Sequence, residues 1–289
     1  MSRVHDALRR AEHGDDGGNR VRKPLGRLLP GLEDLLSEVQ DIPFTPAPDF
    51  LMIDPKLPRD AHGEEFRTLR TRLNHLQKLQ PIHSAVVTSA CPAEGKSFTA
   101  VNLAMAEAQL NDNPTLLADF DFRRPVLHNI FQIDRSPGLT DYLQGAAPLS
   151  AAIKRVAGTN LYLLPAGTSV LNPLEMINLS ETRMLIEQLP SVFNWVLLDS
   201  PPLLFAADAN LLATMCDGIV LVVRIGVTTI DSVTRAMQSL CENNVLGIVA
   251  NGARAGELYS KYTYYYSSYD YKDRHAQNEK GRDSEEEVD

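Results

Sequence analysis

Cysteine is scarce, with three residues in 289, Cys91, Cys216 and Cys241, odd in number and far apart. They exclude a disulfide framework and a paired thiolate metal site, and read as reduced thiols of the cytoplasm. Long apolar runs are missing too. Runs such as Ile219 to Val223 fall far short of a membrane span, and residues 1–20 hold no signal-peptide core. Positive charge is in deficit, with 28 Lys and Arg against 37 Asp and Glu and a formal net charge of -9. Such a chain repels phosphate backbones as a whole, so no nucleic-acid partner is expected. The expectation is a cytoplasmic protein that reaches the membrane through a partner.

What remains is globular, at 44% hydrophobic and 22% charged residues, and suits one large domain with appendages. Residues 1–40 are polar, with a helical pattern over Met1 to Glu12 that Ser2 caps and Arg9 and Arg10 end. Five of the 18 prolines, Pro43, Pro46, Pro48, Pro55 and Pro58, lie between Asp41 and Asp60 and predict an extended connector. The predicted divisions are a polar extension and connector over 1–60, a folded domain over 61–253, and a tyrosine-rich flexible tail over 254–289.

Inside 61–253, short apolar runs alternate with helical stretches. The runs are Ala85 to Thr88, Thr115 to Ala118, Leu161 to Leu164, Trp195 to Leu198, Ile219 to Val223 and Leu246 to Val249. Runs of four or five suit strands buried on both faces, which predicts an α/β fold with a doubly wound, mainly parallel sheet.

The first run leads into Ser89-Ala-Cys-Pro-Ala-Glu-Gly-Lys-Ser97, and a helical pattern follows at once. From Ala90 this is [AG]xxxxGK[ST]. Backbone N–H groups over Ala93, Glu94, Gly95, Lys96, Ser97 and Phe98 would face phosphates, the Lys96 ammonium would reach the outer ones, and the Ser97 hydroxyl would bind Mg2+. Two positions depart from the strictest form: Ala90 replaces the first glycine, and Ala93 stands where a more flexible glycine is expected. An ordinary strand-to-helix turn is the alternative.

Two later strands end in acids. Asp119 and Asp121, at i and i+2 in Leu116-Leu-Ala-Asp-Phe-Asp-Phe-Arg-Arg-Pro125, leave a strand end on the same side. Asp199 ends the apolar run from Trp195, in the form of a Walker B carboxylate. Each alone reads equally as a turn or cap residue. Three acids beside a phosphate loop point to a magnesium-nucleotide site.

Seven of nine tyrosines, Tyr259, Tyr262, Tyr264, Tyr265, Tyr266, Tyr269 and Tyr271, fall within thirteen residues. Their Ser, Lys, Thr and Asp neighbours offer no core. They read as phosphorylatable hydroxyls, with a sticky low-complexity segment as the alternative. If the folded part ends near Asn251, the tether to them has an r.m.s. reach of roughly 15–25 Å, enough to enter a neighbouring subunit's site.

Taken together, GKS at 95–97, DxDxRRP at 119–125, LLDSPP at 197–202 and the tyrosine cluster resemble the bacterial tyrosine autokinases of exopolysaccharide and capsule biosynthesis, relatives of the MinD/ParA-like P-loop ATPases. The resemblance spans roughly residues 60–271 and implies ATP and Mg2+ as cofactors. It implies that Lys96 holds the β/γ-phosphates, that Ser97, Asp121 and Asp199 hold the metal, and that Asp119, or else Asp121, accepts the tyrosine proton. Arg123 or Arg124 would stabilise charge or bind a neighbour, and Asn251 resembles an adenine-contacting position. Glu64, Arg67 and Arg70 match an ExxRxxR helix used for ring-shaped homo-oligomers. The opening Met1 to Glu12 resembles kinases of exosortase-linked systems. Implied partners are a membrane chain-length determinant of the Wzz type, as activator, and an opposing tyrosine phosphatase. A MinD/ParA-like ATPase with water as nucleophile, and a nucleotide-gated scaffold, are the rival readings.

Overall fold

The computed structural model describes residues 34–46, 63–240 and 243–253. The tyrosine cluster, the Met1 to Glu12 pattern, most of the proline-rich stretch and Cys241 lie outside the described residues. The chain divides into two compact units, Met1–Val249 and Ala250–Asp289. Of the second, only residues 250–253 are described.

Six strands fall where the apolar runs predict them: β2 (Ser84–Ser89), β3 (Thr115–Asp119), β5 (Leu161–Leu164), β6 (Trp195–Asp199), β7 (Gly218–Arg224) and β8 (Val245–Asn251). Two more, β1 (Gln40–Ile42) and β4 (Lys154–Val156), complete one sheet in the order β1-β4-β5-β3-β6-β2-β7-β8. The pairs β5–β3, β3–β6, β6–β2 and β2–β7 are parallel, and β4 runs antiparallel to β5. The prediction of a doubly wound, mainly parallel sheet holds.

Alternate residues of each central strand enter opposite cores. Val86, Leu116, Ala118, Val196 and Leu198 face one, while Ala85, Val87, Leu117, Trp195 and Leu197 face the other. Burial on both faces is why these strands read as unbroken apolar runs. One face is covered by α2 (Glu64–Leu79) and by α3 (Lys96–Ala108), whose small residues Ala100, Ala104 and Ala108 lie in that core. The other takes Leu185 and Ile186 of α8 (Ser180–Gln188) and Leu212 of α9 (Ala207–Ala213). Shorter helices are α1 (Leu35–Glu38), α4 (Leu127–Ile130), α5 (Leu139–Leu143), α6 (Leu149–Ala152) and α7 (Pro173–Ile177), with α10 (Ile230–Ser239) between β7 and β8.

The stretch 1–60, expected as an extension and connector, contributes α1 and β1. Leu35 is buried in the core and β1 pairs in parallel with β4. A three-residue polar edge strand has no hydrophobic pattern to reveal it. Among the described residues no helix is long and apolar enough to cross a membrane.

Candidate functional site

The strand order places the carboxyl ends of β2, β6 and β3 side by side. Asp119 and Asp199 are register partners on β3 and β6, and Val87 of β2 is the next partner of Asp199. Partners in a parallel ladder project on the same side, so the loop after β2 meets both acids at one edge.

That loop turns through left-handed backbone at Ala93, with φ 62, and at Gly95, with φ 96. Left-handed geometry costs a residue with a Cβ about 1–2 kcal/mol, which is why a glycine was expected at 93. Alternation of this kind aims N–H groups into the loop's mouth, where α3 begins. Ala90 carries no such strain. It is fully buried in the core with Leu203, Ala209 and Ala213, so its methyl group fills space that a glycine would leave.

Lys96 Nζ lies 3.0 Å from Asp121 Oδ2, 3.4 Å from Asp199 Oδ1 and 3.1 Å from Ser97 Oγ. Burial alone would pull the Lys96 pKa down. The carboxylates of Asp199 and Asp121 outweigh it, and the net shift is upward, so the ammonium keeps its charge. Asp199 is fully buried, and burial pushes its pKa up against the pull of Lys96. Its Oδ2 has no hydrogen-bond partner. Asp119 is also fully buried and is pushed up to about 8, by burial first and then by the charge of Asp199. Its Oδ1 accepts from Asp121 N at 3.2 Å, and its Oδ2 from Val126 N at 2.9 Å and Leu127 N at 3.1 Å. Asp121 Oδ1 accepts from Arg124 N at 3.0 Å.

The structure thus brings together Lys96, Ser97, Asp121 and Asp199, with the Asp119 carboxylate bound to the backbone of Asp121. An orphaned oxygen on Asp199, the Ser97 hydroxyl and Asp121 form a hard-oxygen donor set that fits Mg2+. Among the described residues no group of three His, Cys, Asp or Glu side chains forms a metal cage by itself.

Other predicted residues have different surroundings. Glu94 turns its side chain inward: Oε2 accepts from Cys91 N at 2.9 Å and Oε1 from Thr228 Oγ1 at 2.5 Å. Phe98 meets Phe66 of α2 edge-on, with centroids 6.0 Å apart. Asn251 ends β8, where its Oδ1 accepts from Gly252 N at 2.8 Å. On α2, Arg67 pairs with Glu64 at 3.2 Å, and Arg70 donates to Ala106 O of α3 at 2.9 Å. Sequence reading missed Arg224, which donates to Ala93 O at 3.2 Å, and Thr228. Arg224 ends β7 and Thr228 follows it, over a hundred residues from the loop they brace, and no local pattern signals them.

No protein-family model matches the chain. Tyrosine-protein kinase YwqD of Bacillus subtilis is 33% identical over 210 residues, covering 72% of this chain and 88% of that protein. The chain belongs to the bacterial tyrosine-protein kinases. Tyrosine-protein kinase CpsD of Streptococcus agalactiae is 32% identical over 204 residues, 69% of the kinase described here and 88% of CpsD. In Escherichia coli K12, Etk is 32% identical over 215 residues, 73% of this kinase and 29% of Etk. Among solved structures, the Etk kinase domain superposes with a TM-score of 0.66 at 28% identity, covering 82% of this kinase and 86% of that chain. The chimerical protein CapA2B2 gives 0.67 at 26% identity, covering 77% and 99%. MinD of Pyrococcus horikoshii, complexed with Mg-ADP, gives 0.50 at 20% identity, covering 58% and 70%, and shares the fold.

Proposed function

We propose that this tyrosine kinase uses Mg·ATP to phosphorylate its own C-terminal tyrosines, between subunits, and so regulates the length and export of an exopolysaccharide. The observation that carries the site assignment is the convergence of Lys96 on Asp121 and Asp199 at the mouth of the phosphate loop. In this reading the backbone of Ala93 to Phe98 and the Lys96 ammonium hold the phosphates, while Ser97, Asp121 and Asp199 hold Mg2+. The metal, when bound, neutralises phosphate oxygens as charge builds on them. Asp119 takes the proton of a tyrosine hydroxyl from an adjacent subunit. A bond forms from the phenolic oxygen to the γ-phosphorus, the bond from that phosphorus to ADP breaks, and the proton passes to the carboxylate.

The acceptors are Tyr259, Tyr262, Tyr264, Tyr265, Tyr266, Tyr269 and Tyr271. Each phosphate adds about -1.5 to -2 charge. Seven would add on the order of ten negative charges to an acidic segment, expelling it and loosening a ring held through Glu64, Arg67 and Arg70. Asn251 contacts the adenine, a Wzz-type membrane protein recruits and activates the kinase at the inner face of the cell membrane, and a phosphatase resets it. The test is incubation of the purified chain with Mg·ATP, with and without the partner's cytoplasmic tail, followed by phosphotyrosine detection. Signal lost both in Lys96→Met and when the seven tyrosines become phenylalanine supports the reading. ATP turnover without phosphotyrosine sinks it.

A further inference from the structure

Arg123 stands two residues past Asp121, and its guanidinium reaches across to helix α9. Nε donates to Asp208 Oδ2 at 2.7 Å and Nη2 to Oδ1 at 3.1 Å, a two-pronged grip. The Asp208 side chain is fully buried while that of Arg123 is 47% exposed. A fully buried carboxylate is held only with a partner, so this pair differs from an ion pair between two solvated side chains.

The turn that carries Arg123 is wound around its own acids. Asp121 N donates to Asp119, Arg124 N to both the backbone oxygen and Oδ1 of Asp121, and Val126 N and Leu127 N to Asp119. Arg123 therefore sits between the residue whose carboxylate meets Lys96 and the residue whose N–H fixes that carboxylate. At the other end, α9 belongs to the segment that leaves β6 just after Asp199. A single bidentate contact outside the site thus joins the turn of Asp121 to the segment following Asp199.

We propose that Arg123 and Asp208 are a positioning pair that holds Asp121 at its working spacing from Asp199. The inference rests on the assignment of those two acids to the metal. Neither Arg123 nor Asp208 touches the reacting atoms. A different role, with Arg123 contacting phosphate itself, would make Asp208 dispensable.

The experiment compares full-length Arg123→Lys, Asp208→Asn and the double variant with wild type. Without nucleotide, the amides of Asp121, Arg124, Val126 and Leu127 should exchange hydrogen about tenfold faster in each variant, with the core-strand amides of Val86 and Leu197 unchanged. With Mg·ATP, kcat should fall about 10–100-fold in each single variant. The double should be no worse than the poorer single, because one interaction is lost only once. ADP affinity measured without Mg2+ should stay within about twofold of wild type, and the gain in affinity on adding Mg2+ should shrink. Asp208→Asn with unchanged exchange in the turn, or with full activity beside an inactive Arg123→Lys, overturns the pair, as does additivity in the double variant. A wild-type chain that makes no phosphotyrosine would sink the proposed function yet leave the exchange result to decide the pair.

Discussion

At the amino edge of the sheet, Asp217 Oδ2 accepts from His83 N, Ser84 N and Ser84 Oγ, each at 2.9 Å. Asn74 donates to Glu107 Oε2 and accepts from Trp195 Nε1, Asn113 also donates to Glu107, and Asn194 donates to Asn113. At the carboxyl edge, three acids crowd one lysine, Asp199 Oδ2 has no partner, and Ala93 is held in left-handed backbone. Both edges bury polar groups, and α3 runs from Lys96 at one to Glu107 at the other. The amino edge ties its groups to amides and backbone, leaving Glu107 Oε1 alone without a partner among those named, and serves packing. The other keeps charge and an open valence, which only a ligand relieves.

Four substitutions break or sharpen that contrast. Asp199→Asn should cut tyrosine phosphorylation on the order of 10³-fold, yet raise stability of the ligand-free chain by about 1 kcal/mol, because Lys96 still pairs with Asp121 and one of the buried acids that share this single ammonium is gone. Kinetics and urea unfolding of one preparation would test both halves. A drop in stability would remove the carboxyl edge from the contrast.

Glu107 comes next. Burial pushes it from 4.5 up to about 7, against the hydrogen bond from Asn74 and the charge of Arg70. The folded chain then keeps a proton that the unfolded chain releases, so stability from this group falls as pH rises from about 4.5 through about 7. Glu107→Gln should erase that dependence, on the order of 3 kcal/mol between pH 4 and 8, as read by urea midpoints across the range. Asn74→Ala strands Trp195 Nε1 and one contact to Glu107, and should cost about 1–3 kcal/mol with kcat within about twofold. Ala93→Gly relieves the backbone at the loop, less the entropy that glycine adds to the unfolded chain, and should gain about 0.5 kcal/mol. Thermal unfolding suffices to detect it.

The central strands and the acids at their ends were legible because burial on both faces writes an unbroken apolar run and the chain must end it with something polar. Lys96 and Ser97 were legible from the GKS pattern that follows the first run, and Asp121 from its spacing to Asp119 at a strand end. Hidden from it were β1 and β4, polar and three residues long. Hidden too were contacts made across sequence distance. Arg224 and Thr228 brace the phosphate loop, Asp208 holds Arg123, and Arg70 is tied to α3, a contact that the ExxRxxR spacing of Glu64, Arg67 and Arg70 does not reveal. Glu94 shows the converse, a loop residue whose side chain turns into the fold.

The lone tryptophan has a practical use. Trp195 is fully buried at the start of the strand that Asp199 ends, with its indole N–H given to Asn74 at 2.8 Å. Four residues along a strand span about 13 Å, so its fluorescence should ignore what fills the phosphate loop. It should shift to the red only when the dry interior opens to water, giving this protein an unlabelled optical gauge of unfolding that is blind to its ligands.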